Sequence, residues 1–251
     1  MNLRRVSVAL VAVLSGVGAL VLQTSGPADA LRSGINRKAP SYYVAVGASE
    51  SVGYQPTLAN PHGEHTDMGY ANDLAGAEAV RWPGLSLIEI GCPGITAEAA
   101  LDGTAKNAAS ESIAGKTVHC NYPAGSEVAT AVRIIRQRAD RTVLVTVDLG
   151  FNDVAPCLRH ETVDSACVTL GLAEINQALP EVLSRLRSAG GSHMLIVGLE
   201  HSDPYLATSL RGEPAFAHES QQVIDRLNGE LAGSDITRAS FTAAGSRFSW
   251  V

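Results

Sequence analysis

Residues 42–54 read YYVAVGASESVGY. Tyr42, Tyr43, Val44, Ala45 and Val46 form a short β-branched and aromatic run, which predicts a strand, and Gly47 closes it. Ser49 falls in the turn that follows. In an open α/β sheet, ligands and reactive groups gather outside the carboxyl ends of the strands, so a serine here faces a crevice. A Gly-x-Ser turn by itself is commonly only a turn or a helix cap. Its weight therefore depends on what the rest of the chain brings to the same edge.

Three more strand-and-turn pairs follow. Residues 85–90 (LSLIEI) predict a strand that ends in Gly91-Cys92-Pro93-Gly94, a tight loop whose backbone NH groups are candidates for an anion. Residues 142–149 (TVLVTVDL) are the strongest strand, apolar on both faces apart from Asp148 and the threonines, as in a covered parallel sheet. Gly150-Phe151-Asn152-Asp153 comes directly after it. Residues 194–199 (MLIVGL) predict a fourth strand, then a turn at His201-Ser202-Asp203-Pro204.

Helical patterns fill the intervals. They cover residues 69–80, a segment capped by Ser126 with Val128, Ala131, Val132 and Ile135 on one stripe, residues 171–189 with a kink expected at Pro180, and residues 216–232 stopped by Gly233. Residues 234–251 hold at most one short strand around Ile236. The polar stretch 60–67 contains His62, His65 and Asp67, but Pro61 and Gly63 disfavour a helix there, so it reads as a solvated loop and not a metal site. This alternation of strands and helices predicts a three-layer α/β fold built on a parallel sheet.

The N-terminus has Arg4 and Arg5, an apolar stretch over residues 6–22, and Ala28-Asp29-Ala30, the pattern of a secretory signal peptide. Cleavage after Ala30 is expected to leave residues 31–251 as a single domain. Of the 19 basic and 25 acidic side chains, loss of Arg4, Arg5 and Asp29 leaves 17 and 24, a formal charge of −7 on 221 residues. That balance argues against nucleic acid or an anionic membrane as the main partner, and no later segment predicts a membrane span. Cys92, Cys120, Cys157 and Cys167 form an even set in an exported chain, which predicts disulfides. Of three pairings, Cys92–Cys120 and Cys157–Cys167 are favoured because each staples one loop between neighbouring elements.

In a parallel sheet all carboxyl ends share one edge, so the turns bearing Ser49, Gly94 and Asn152 can converge. Acyl transfer needs such a set: a serine oxygen that attacks a carbonyl, and donors that hold the developing oxyanion. The donors are the NH of Ser49, the NH of Gly94 and the side-chain amide of Asn152. The chain here resembles the SGNH hydrolases, the GDSL-type esterases and lipases, especially their exported actinobacterial members. The resemblance rests on Gly47-Ala48-Ser49, Gly91-Cys92-Pro93-Gly94 and Gly150-Phe151-Asn152-Asp153. Gly53-Tyr54-Gln55-Pro56, Cys120-Asn121-Tyr122-Pro123 and the residues from Asp153 to Cys157 are also family-like. It covers roughly residues 42–231. It implies a three-layer α/β/α flavodoxin-like sheet of order 2-1-3-4-5, with Ser49 as nucleophile, Gly94 and Asn152 as oxyanion donors, and a carboxylic ester as substrate.

Three positions depart from the family pattern. Ala48 replaces the aspartate of the GDS triplet and removes a turn-stabilising carboxylate, and Glu89 stands where asparagine is usual. The family's general base comes from a C-terminal D-x-x-H block, and this sequence contains no histidine after His218. His201 precedes Asp203, the wrong order for that motif, and is the candidate substitute base.

The expected function is thus a secreted, extracellular or cell-wall-associated serine esterase or lipase, without cofactor or metal, of activity far below that of a complete family member. Its substrate would be a small-molecule, lipid or acylated-sugar ester. The competing readings are a catalytically weak or inactive SGNH-like ligand-binding domain, and a C-terminally truncated chain without independent function. A monomer is expected unless the shortened C-terminus exposes apolar surface and drives self-association.

Overall fold

The computed structural model describes residues 40–103, 112–113, 116–117, 120–159 and 161–229. Four strands, β1 (Tyr42–Gly47), β2 (Ser86–Glu89), β3 (Thr142–Asp148) and β4 (Leu195–Gly198), form one parallel sheet in the order β2-β1-β3-β4. That matches the first four strands of the expected flavodoxin-like order. The region around Ile236, where the fifth was expected, lies outside the described residues, as do the N-terminal segment 1–30 and residues 234–251.

Burial follows position in the sheet. From Tyr43 to Gly47, β1 is buried on both faces, and β3 nearly so, which is why their sequences run apolar without a polar alternate. β2 lies at the edge and leaves Ser86 and Glu89 exposed. Accordingly it stops one residue short of the expected 85–90 at each end.

Helices cover both faces. Val44, Val46, Val145, Val147 and Ile196 point into the larger core with helices α3 (Glu127–Gln137), α5 (Ser165–Gly190) and α6 (Pro214–Asn228). Tyr43, Ala45, Leu144 and Val197 face the other side, where Ala71, Tyr70 and Leu74 of α1 (Tyr70–Glu78) cover them. Two short helices, α2 (Ala97–Asp102) and α4 (Phe151–Val154), start in the turns after β2 and β3. Side chains cap α2 and α3: Thr96 accepts from the Ala99 NH and Ser126 from the Ala129 NH.

Helix α5 begins at Ser165, six residues before the expected start at 171. The Asp164 carboxylate accepts from the NH groups of Ala166 and Cys167 and caps the true first turn. Gly171 is therefore an interior residue, and its lack of a side chain serves packing. A Cβ there would lie 2.3 Å from the Asp153 carbonyl oxygen and 2.9 Å from its carbon, both backbone atoms of α4. Gly171→Ala is expected to destabilise by about 2 kcal/mol: overpacking costs up to ~3 kcal/mol and helix propensity returns at most ~1. Urea denaturation checks the sign. A variant as stable as the parent would show that α5 can move off α4 without loss.

At the other end, α6 stops at Gly229 and not at Gly233, because Gly229 already takes the left-handed cap position with its NH on Asp225 and Arg226 carbonyls. The turn expected after β4 continues as a 3₁₀ helix over Pro204–Arg211. Both disulfides pair as expected, Cys92–Cys120 and Cys157–Cys167, and the first ties the turn after β2 to Cys120, beyond α2. Among the described residues no helix is long and apolar enough to cross a membrane.

Candidate active site

Ser49 stands in the turn after β1, half-buried, at a cavity of about 290 Å³ lined by Glu50, Tyr54, Gln55, Met68 and Tyr70. The turn is tightly tied. The Ser51 hydroxyl donates to the Ala48 carbonyl at 2.7 Å, and the Tyr54 NH donates to the Ser49 carbonyl at 2.9 Å. Gly91, in the neighbouring turn, approaches so closely that a Cβ on it would meet Ser51 Oγ at 2.1 Å and the Gly47 carbonyl oxygen at 2.9 Å.

The turns after β2 and β3 are joined to it and to each other. The Cys92 NH donates to the Gly47 carbonyl at 2.9 Å. The Asn152 side-chain amide, on α4, donates to the Ile95 carbonyl at 3.0 Å, one residue past Gly94. Next to it, the buried Asp153 carboxylate accepts from the Ala97 NH at 3.0 Å, the first turn of α2. Ser49, Gly94 and Asn152 therefore sit on three adjacent, mutually bonded strand ends, with the serine turn in the middle. Burial pushes the Asp153 carboxyl up to about 7, against the pull of the Ala97 NH.

A carboxylate from another element holds the start of the Ser49 turn. Glu127 Oε1 accepts from the Gly47 NH at 2.6 Å across 80 residues, and its Oε2 accepts from the Tyr122 hydroxyl at 3.1 Å. Glu127 is fully buried, and burial holds its carboxyl well above the usual range, with the Gly47 NH opposing. Its only mark in the sequence is its place beside the cap Ser126. Glu89, one of the departures from the family pattern, accepts from Asn72 at 2.8 Å on the sheet edge.

His201 does not sit in a solvated turn. It is 5% exposed, fixed by paired bonds between its backbone NH and carbonyl and the Asn228 amide. Its Nε2 lies 3.3 Å from the Leu149 carbonyl oxygen and its Nδ1 3.5 Å from Asp148 Oδ1. Glu50 completes the group: one ligand atom from each of Glu50, Asp148 and His201 lies within 4.8 Å of the others. Burial pushes the Asp148 carboxyl up to about 6, against nearby NH groups of Ala48 and Ser51. Glu50 is exposed as a residue, yet desolvation around its carboxyl raises it and the Asp148 charge adds to that, with His201 acting in the opposite sense. Burial lowers His201, while the Glu50 charge and the Leu149 bond act in the opposite sense. Glu50 and Asp148 were not expected from the sequence as site residues. The one available signal was a lone carboxylate at the end of the most apolar strand.

No family model matches the chain, and no curated protein matches it. Among solved structures it is similar to phospholipase A1 from Streptomyces albidoflavus NA297, at 17% identity and a TM-score of 0.49, with 84% of this chain and 79% of that one covered. An extracellular lipase from Streptomyces rimosus matches at 17% identity and a TM-score of 0.47, with 84% and 80% covered. A carbohydrate acetylesterase from Sinorhizobium meliloti matches at 14% and 0.44, with 84% and 83% covered.

Proposed function

We propose that this protein is an exported serine hydrolase of carboxylic esters, of low turnover, with Ser49 as its nucleophile. The observation that carries the reading is the mutual bonding of three turns on adjacent strand ends, one with a half-buried serine beside a cavity and two with candidate oxyanion donors. Ser49 Oγ attacks the ester carbonyl and the alcohol leaves. Water then releases the acid from the acyl-enzyme. The developing oxyanion is held by the NH groups of Ser49 and Gly94 and by the second N–H of the Asn152 amide, the first being taken by Ile95. Export agrees with the two disulfides.

The proton of Ser49 is the weak point. His201 is on the same sheet edge, and Asp148 would orient it. A carbonyl oxygen only accepts, however, so the Nε2 facing Leu149 is the protonated nitrogen, and the free lone pair of a neutral ring points at Asp148. To serve Ser49 the ring must turn away from Leu149. That observation favours a second reading, a domain that binds a carbonyl ligand in the oxyanion pocket with little or no turnover.

Asn152→Ala separates the two. In the enzyme reading it lowers kcat on a short p-nitrophenyl ester about a hundredfold or more, with KM little changed, because the donor acts on the transition-state oxyanion. An effect confined to KM supports the binding reading.

A further inference from the structure

We propose that Glu50, Asp148 and His201 form a binding site for one divalent transition-metal ion of the zinc class, at the sheet edge where β1, β3 and β4 end. The site goes beyond ester hydrolysis, and an ion bound there would take His201 out of use as a base for Ser49.

The first ground is the donor set. Imidazole nitrogen with two carboxylate oxygens is a ligand set that zinc and its first-row neighbours accept. Donor atoms ~2.0–2.2 Å from a tetrahedral ion stand roughly 3.3–3.6 Å apart. The three ligand atoms here lie within 4.8 Å of one another, so movement of about an ångström closes them. Glu50 is the exposed member and the one free to make that movement.

The second ground is a buried acceptor of this group that the NH groups of Ala48 and Ser51 leave unsatisfied. Asp148 is 1% exposed, and its Oδ2 has no hydrogen-bond partner. Its Oδ1 faces Nδ1 of His201 at 3.5 Å, and with the proton on Nε2 both atoms present lone pairs to the gap between them. Among the described residues no lysine or arginine pairs with either carboxylate. Leaving a buried acceptor unsatisfied costs about 1–3 kcal/mol, and an ion held by the Asp148 carboxylate through both oxygens would remove that cost.

The third ground is the outer shell. A metal-bound histidine generally donates its other N–H to a carboxylate or a backbone carbonyl, which fixes the tautomer and the ring orientation. Nε2 to the Leu149 carbonyl is that bond, and the Asn228 amide locks the backbone of His201 behind it. The cavity lined by Ser49, Tyr54 and Tyr70 reaches Glu50, the ligand on the solvent side.

The test is equilibrium dialysis and calorimetry with zinc on untagged, chelator-treated full-length protein, with thermal melting in parallel. One equivalent should bind at micromolar Kd or tighter and raise Tm. Glu50→Gln, on an exposed residue that leaves the fold intact, should weaken binding by at least tenfold, and His201→Gln should do the same. His62→Gln and His65→Gln, in the surface loop, should leave it unchanged. The proposal is overturned if no stoichiometric zinc binds, if Glu50→Gln binds as the parent does, or if the loop variants lose the ion instead. Zinc binding without ester turnover would remove the hydrolase reading and leave the site standing. Turnover without zinc binding would do the reverse.

Discussion

Ser49→Ala is expected to abolish covalent acylation and, with His201 taking the proton, to lower ester turnover by about 10³-fold or more, an effect that only loss of that base should equal. The serine oxygen is the only group proposed to form the acyl bond, and alanine leaves the surrounding turn unchanged. The bonds from Ser51 to Ala48 and from Cys92 to Gly47 do not involve its side chain. The residue left at the site can then only present its oxyanion donors to an ester attacked by water.

The comparison that gives this result its meaning is His201→Ala. Groups that act as one unit are not additive. If His201 takes the proton, its loss costs as much as loss of Ser49, and the double variant falls no further. Turnover that depends on Ser49 but survives His201→Ala would put the base at another residue. Equal, feeble turnover in the parent and in Ser49→Ala, with no trapped acyl-enzyme, would sink the nucleophile assignment. Mass spectrometry after a p-nitrophenyl ester pulse reads this directly.

The second large effect concerns stability against pH. Asp153 is buried with a folded-state pKa raised to about 7 from an ordinary 3.8. Between those values the folded protein binds a proton that the unfolded chain has released, so stability falls as pH rises through the interval. The contribution is full below about 4 and lost above about 7. At ~1.36 kcal/mol per pH unit, the loss amounts to about 4 kcal/mol for this one group. Asp153→Asn removes the titration and keeps an amide oxygen to accept from the Ala97 NH. The variant should match the parent near pH 4 and exceed it by about 4 kcal/mol near pH 8. Urea midpoints at the two pH values check it. Parallel stability curves for parent and variant would show that Asp153 titrates normally and that its burial carries no penalty.

The same residue shows how the local and tertiary levels divide. Gly150-Phe151-Asn152-Asp153 was legible as a turn after a strand, and Asn152 as a donor at the sheet edge. Nothing in that tetrapeptide indicates that Asp153 is buried against α2, or that its carbonyl lies where Gly171 must lack a side chain. His201 makes the point more sharply. Its neighbours Ser202, Asp203 and Pro204 are turn residues, and a turn by itself gives no reason for a buried ring. The ring is buried because Asn228, 27 residues on, binds its backbone, and because Asp148 and Leu149 at the end of β3 face its two nitrogens.

What the sequence by itself determined is the parallel sheet and the order in which its turns carry Ser49, Gly94 and Asn152. β1 and β3 are apolar on both faces, and helical segments separate the strands. A covered parallel sheet is the arrangement that satisfies both, so all carboxyl ends fall on one edge. The disulfides were legible as well, since the favoured pairing joins cysteines near in sequence, 28 and 10 residues apart. Tertiary structure alone decided the electrostatics of that edge. Glu127 reaches the Gly47 NH across 80 residues, and Glu50, Asp148 and His201 meet from three elements. Periodicity reports which face of an element is apolar. It carries no information on which polar side chains from distant elements are buried together, because that depends on how the elements pack once they have formed.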